Sequence, residues 1–266
     1  MSRDELLKLL LEGKSTRAIA KDLGIGKSTV SYWIKKYNLQ DCMKYKKHEN
    51  NYNFNKIDTK EKAYALGFIL ADGDINPKNI VEISVEKNDK EVAEFISNII
   101  ESNIIIDNTF NKEKRRFPRV RALRKINDIL KFTSGRLKKD RHYPRVRKDL
   151  ERYLLLGFFD ADGCITWGIR KDRNRIWQKV SFTSQLHLLE GVQKMLYNEI
   201  GISSTIRPKS KENCYVIEFS NKKDVLKFIN YIYPKEEDKF IVLQRKYLKA
   251  NVLRLELEEF GGTTNK

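Results

Sequence analysis

The 266-residue chain is poor in the groups that staple or cage a fold. It has three cysteines, Cys42, Cys164 and Cys214, odd in number and far apart. That argues against a disulfide framework and fits a reducing interior, cytoplasmic or organellar. Its three histidines, His48, His142 and His187, show no metal-ligand spacing with one another or with Cys, so neither a zinc finger nor a His–Cys nuclease centre is expected. No apolar run reaches the ~20 residues a bilayer demands, so no membrane partner is expected. The opening "MSRDELLK" is charged from Arg3 onward, unlike a secretory signal. "GIGKST" at 24–29 lacks the earlier glycine of a phosphate-binding loop, because Lys21 stands there.

Negative charge is also in short supply. Lys and Arg number 53 against 36 Asp and Glu, leaving +17, and 40% of the residues are hydrophobic. The chain can bury a core, and its charge points to a polyanionic partner. The cations cluster: Arg115, Arg116, Arg119, Arg121, Arg124 and Lys125, then Arg136, Lys138, Lys139, Arg141, Arg145, Arg147 and Lys148. A merely solvated face would interleave the two signs.

Residues 1–40 read as a small helical domain. Leu6, Leu9 and Leu10 fall at helical spacing before Gly13, and Ser15 is a candidate N-cap for a second helix with Ala18, Ile19 and Leu23 inward. Gly24 breaks it, and a third helix carries Val30, Trp33 and Ile34. The stretch resembles the helix-turn-helix domains of bacterial and archaeal DNA-binding proteins. That resemblance puts the third helix in the major groove, with Lys27, Ser28, Thr29, Ser31, Tyr32 and Lys35 outward. Residues 41–58, without period and rich in Asn and Lys, read as a linker.

Beyond the linker one pattern runs twice, over 59–147 and 148–266: helix, two strands, helix, two strands, helix. The expected class is α+β, two tandem αββαββα repeats, with a last helix over roughly 236–260. Each leading helix ends in the same way, "ALGFILADG" (65–73) and "LLGFFDADG" (155–163), and the matching aspartates are 162 − 72 = 90 residues apart. Gly67 and Ala71, like Gly157 and Ala161, clear a strip at i, i+4 spacing where the two helices can pack on each other. Gly73 and Gly163 suit a left-handed helix end. Asp72 and Asp162 then face each other at the negative ends of two helix dipoles. A hard divalent cation relieves that repulsion, so the tips read as a metal site of the kind that hydrolyses phosphodiesters.

With these two motifs in hand, residues 60–255 resemble the LAGLIDADG homing endonucleases in their single-chain, two-motif form. The resemblance implies a pseudo-two-fold saddle and a monomeric enzyme that uses Mg²⁺ (or Mn²⁺) to cut both strands of double-stranded DNA at a long asymmetric site. It implies metal binding by Asp72 and Asp162 with Gly73 and Gly163, and a catalytic Lys246 in "IVLQRKYLKANVL". The first repeat has no segment matching that of Lys246; Lys138 and Lys139 are the basic residues considered for the same role there. Leu70 departs from the motif where the second copy keeps Asp160. The chain lacks the terminal Cys/Ser and His-Asn junctions of an intein and reads as freestanding or intron-encoded. Strand alternation puts Arg119 and Arg121 on the DNA face opposite Val120, and Arg170 opposite Ile169. It likewise exposes Trp177, Lys179, Ser181 and Thr183, and, less comfortably, Glu82, Ser84 and Glu86. Two other readings use the same scaffold: a regulator that binds DNA without cutting it, and an intron-splicing maturase.

Overall fold

The computed structural model describes residues 2–11, 14, 16–39, 52–102, 104–107, 119–126, 128–170, 175–209, 213–234, 240 and 242–259. Gly13, Ser15, Cys42, His48, most of the linker and the 112–118 part of the basic run lie outside these residues. The chain divides into two compact units, Met1–Glu49 and Asn50–Lys266.

The first unit is three helices, α1 (Arg3–Leu11), α2 (Thr16–Asp22) and α3 (Lys27–Lys36). Leu6, Leu10, Ile19, Ala20, Val30, Ile34 and Leu39 form its core. Gly24 turns the chain between α2 and α3 at φ +64°, a left-handed conformation that costs glycine nothing.

The second unit repeats one topology. Its first half runs α4 (Lys60–Asp72), β1 (Asp74–Ile75), β2 (Ile80–Glu86), α5 (Lys90–Ile99), β3 (Ile104–Asp107), β4 (Arg119–Lys125) and α6 (Ile129–Thr133). Its second half runs α7 (Lys148–Asp162), β5 (Gly163–Arg170), β6 (Arg175–Ser184), α8 (Leu186–Ile200), β7 (Ile206–Pro208), β8 (Tyr215–Phe219) and α9 (Lys222–Ile232), followed by α10 (Gln244–Glu259). The two antiparallel sheets share an order, β1-β2-β4-β3 and β5-β6-β8-β7. Alternation decides their faces. Val81, Ile83 and Val85 turn inward from β2, and Val180 and Phe182 from β6, where Phe182 meets Phe228 of α9 at 5.6 Å.

Helices α4 and α7 pack along their length, and the small residues are the reason. A Cβ added to Gly67 would strike the carbonyl oxygen of Leu154, and one added to Gly157 would strike that of Tyr64. The backbones touch there, so both motif tips arrive together.

Three expectations are corrected. Gly73 and Gly163 are not left-handed: their φ, ψ are −71°, 144° and −87°, 156°, extended backbone that enters a strand at once. Glycine is needed there for room, since a Cβ on Gly73 would lie 2.7 Å from the Ile69 carbonyl oxygen and one on Gly163 would run into the Phe159 ring. The last helix begins at Gln244 rather than near 236. Residues 52–58 belong to the second unit: Phe54 is fully buried, edge-on to Phe132 at 6.3 Å.

Candidate functional site at the paired helix tips

Helix α4 starts from Thr59, whose hydroxyl accepts the Lys62 N–H at 3.3 Å, and delivers Asp72 half-exposed at its far end. Lys138, in a tight turn before α7, donates to Asp72 Oδ1 at 3.2 Å. At the second tip Ser184 Oγ donates to Asp162 Oδ2 at 3.2 Å. Burial pushes the Asp162 carboxyl up to about 6; the Lys138 charge pulls it down, and the Asp72 charge pushes it up again. Asp162 therefore feels its twin, and Lys138, which donates to Asp72, acts on Asp162 as well.

Lys246 does arrive at this centre, but its ammonium faces backbone. It donates to the carbonyl oxygens of Phe159 at 2.6 Å, Asp160 at 2.8 Å and Gly163 at 2.6 Å, with the Phe159 ring 5.0 Å away. It closes the carbonyl end of α7. Burial lowers it to about 8, against the upward pull of Asp160. This counts against Gly163 as a metal ligand, because an ammonium already holds its carbonyl oxygen and repels a second cation. Of the two first-repeat candidates, Lys138 reaches Asp72 and Lys139 is exposed.

Arg141, one member of the basic run, is 1% exposed. Its Nη1 donates to the carbonyls of Ile69 at 2.9 Å and Leu70 at 3.1 Å, and its Nε and Nη2 to Arg136 O at 3.2 and 2.7 Å. Burial lowers this guanidinium's pKa, while Asp74, Asp162 and Asp72 push it back up. Its signal was hidden in a run of surface cations. His142 and His187, remote in sequence, stack at 4.7 Å. Among the described residues no three of His, Cys, Asp and Glu gather as a metal cage.

The outer face of the second sheet carries Thr166, Arg170, Trp177, Lys179, Ser181 and Thr183, as alternation required. Lys179 pairs with Glu218 across the strands at 2.8 Å, and Lys209 donates to Thr183 at 3.3 Å. Trp177 lies against Gly168, where a Cβ would come within 2.9 Å of the indole nitrogen. Ile169 is not inward as expected: it is 52% exposed, one residue from the hairpin end of the β5–β6 ladder. In the first sheet the register sets Glu86 opposite Arg119 and Ser84 opposite Arg121. Glu86 is exposed on that face, and the side chains of Arg119 and Arg121 lie outside the described residues. In the first unit Lys27, Ser28, Thr29, Ser31 and Lys35 are exposed, and Tyr32 is 58% exposed.

Residues 149–233, which include the second tip and its sheet, match the LAGLIDADG-like domain family. The chain carries a LAGLIDADG fold. Residues 5–41 match the homeodomain-like family, so the three-helix unit is a helix-turn-helix domain. Among solved structures, the LAGLIDADG meganuclease I-AabMI bound to uncleaved DNA is 18% identical with a TM-score of 0.51, covering 76% of this chain and 91% of its own. The meganuclease I-SmaMI bound to uncleaveable DNA is 12% identical with a TM-score of 0.52, covering 77% and 92%. The same meganuclease bound to uncleaved DNA with calcium ions is 12% identical with a TM-score of 0.51, covering 77% and 93%. At these identities the likeness is one of fold. No curated protein matches the chain. Among the described residues no helix is long and apolar enough to cross a membrane.

Proposed function

We propose that this protein is a monomeric, sequence-specific endonuclease that cuts both strands of double-stranded DNA with Mg²⁺. One observation carries the reading: Asp72 and Asp162 come from two repeats, meet at one seam, and Asp162 is held near a pKa of about 6 in part by its twin. Such a pair strains an uncharged-ligand fold and gains from a cation. Two carboxylates, with no third His, Cys, Asp or Glu gathered beside them among the described residues, suit a hard ion that keeps most of its waters, Mg²⁺ or Mn²⁺. Held by Asp72 and Asp162, such an ion would neutralise charge on the scissile phosphodiester. The protein's own groups do the rest. Lys138 holds a half-exposed ammonium beside Asp72, where it would offer its charge to a scissile phosphate. Ser184 fixes Asp162, and Lys246 fixes the end of the helix that bears it. Trp177, Lys179, Ser181, Thr183 and Arg170 in one sheet, with Arg119 and Arg121 in the other, supply groove and phosphate contacts.

The homeodomain-like unit favours a rival, a DNA-binding regulator that does not cut. The intact acid pair favours cleavage, because a pure binder has no use for two facing carboxylates. Incubating the protein with a randomised duplex library and Mg²⁺ decides between them. Enrichment of one cleaved site supports the nuclease; binding of one site with no cut in Mg²⁺ or Mn²⁺ supports the regulator.

A further inference from the structure

The two tips are closed by different cations from unrelated segments. Lys246 takes the carbonyls of Phe159 and Asp160, and Arg141 takes those of Ile69 and Leu70, the same positions 159 − 69 = 90 residues earlier. Lys246 spends its ammonium on its own tip. Arg141 has a fork with more N–H groups than the helix end needs, and the remainder holds Arg136 O. Between Arg136 and Arg141 the turn is tight: Arg141 N–H donates to Lys138 O at 3.2 Å, and Asp140 N–H to Leu137 O at 2.9 Å. Gly135 lies so close that a Cβ there would sit 2.6 Å from that of Asp140. Lys138 rides on this turn, and its ammonium meets Asp72 at 3.2 Å.

We propose that Arg141 is a positioning residue for the first tip: its guanidinium closes the carbonyl end of α4 and staples to it the turn that aims Lys138 at Asp72. The inference rests on the reading of the tips as a metal-dependent centre. A lysine at 141 could still cap the Ile69 and Leu70 carbonyls, as Lys246 caps the other tip, but could not hold Arg136 as well. Arg141→Lys therefore keeps the fold and cuts the staple.

The test uses the full-length chain and calcium, titrated by calorimetry. The Lys138 ammonium and a divalent cation compete for Asp72, so Lys138→Met should bind calcium about threefold more tightly, the size of one half-exposed ion pair. Arg141→Lys should reproduce most of that gain, and should add nothing in the Lys138→Met background. An equal effect in both backgrounds, or none in either, overturns the proposal. Hydrogen exchange without metal reads the staple itself. Amides 136–141 should exchange about tenfold faster in Arg141→Lys, as loss of one charged hydrogen bond implies, and unchanged in Lys138→Met. Unaltered exchange in Arg141→Lys also overturns it. If the wild-type chain binds no calcium while the Arg141→Lys turn exchanges faster, the metal reading falls and the staple stands.

Discussion

Tyr64 in the first repeat donates its hydroxyl to Asp160 in the second, 2.8 Å away, and Tyr233 closes on the other carboxylate oxygen at 3.2 Å. Asp160 is 3% exposed. Ninety residues earlier the equivalent position is Leu70, fully buried and apolar. The seam is therefore asymmetric: one repeat presents a hydrocarbon, the other an acid that ties the two repeats together. Desolvation pushes Asp160 up to about 6, with Lys246 and both tyrosine hydroxyls pulling it down.

Copying the first repeat into the second should fail. Asp160→Leu removes the acceptor and leaves two buried tyrosine hydroxyls unpaired, at about 2–4 kcal/mol of stability. Asp160→Asn keeps an acceptor and should cost less. Urea unfolding at neutral pH ranks the two; an Asp160→Leu protein as stable as the parent would show that the tyrosines find other partners.

The same residue sets a pH dependence. Its folded pKa lies above its ordinary 3.8, so folding takes up a proton between about pH 4 and about pH 6. The stability this proton confers is full below that window and is lost as pH rises through about 6. Asp162 shifts in the same direction to about 6. Asp160→Asn should therefore remove about half of the fall in unfolding midpoint across the window, and leave the rest to Asp162. An unchanged slope would place the titrating group elsewhere.

Gly157→Ala should be among the most damaging single-methyl changes in the molecule. The new Cβ meets the Tyr64 carbonyl oxygen, which is backbone and cannot swing aside. A loss of about 3 kcal/mol or more is expected from forcing the helices apart. Gly67→Ala, against Leu154 O, should match it. Denaturant midpoints within error of the parent for either variant would mean that the seam is looser than this packing.

The seam and its aspartates were legible because small residues and acids recur at a fixed interval, and so was strand alternation, which needs only a period of two. What stayed hidden depends on long-range contact. Nothing local separates Arg141 from Arg136 or Arg145; burial against the end of α4 does. Lys246 could be placed near the centre, but that its donors meet three backbone carbonyls is a property of the packed helix end. Gly73 and Gly163 read as left-handed caps from their sequence; the strands that follow at once hold them extended instead.

Removing residues 1–40 should weaken DNA binding and spare cleavage at high substrate concentration. Both carboxylates and both sheets lie in the second unit, which has its own core. A truncated protein that is folded by circular dichroism yet cuts at no concentration would make the helix-turn-helix unit part of the centre.

Affinity for DNA should fall steeply with salt, because the basic stretch 112–148 would displace counterions from many phosphates. A titration from low to physiological ionic strength reads this directly, and a flat response would take the stretch out of the interface.

Asp162→Asn should abolish double-strand cleavage while specific binding persists in calcium. Asparagine keeps the shape and can still accept from Ser184, so the seam survives. It also removes a desolvated carboxylate that Asp72 repels, so at neutral pH the protein should become slightly more stable. Asp72→Asn should be equally inactive for a different balance of reasons. Asp72 is half-exposed and paired with Lys138, so its loss should lower stability by at most about 1 kcal/mol. The sign at Asp162 separates a ligand from a helix cap: a cap loses stability when altered, whereas Asp162→Asn should lose function and gain stability. Either single variant is allowed residual nicking of one strand. Supercoiled and linear substrates resolve nicking from full cleavage, and a variant that linearises DNA at the parental rate would remove that aspartate from the chemistry.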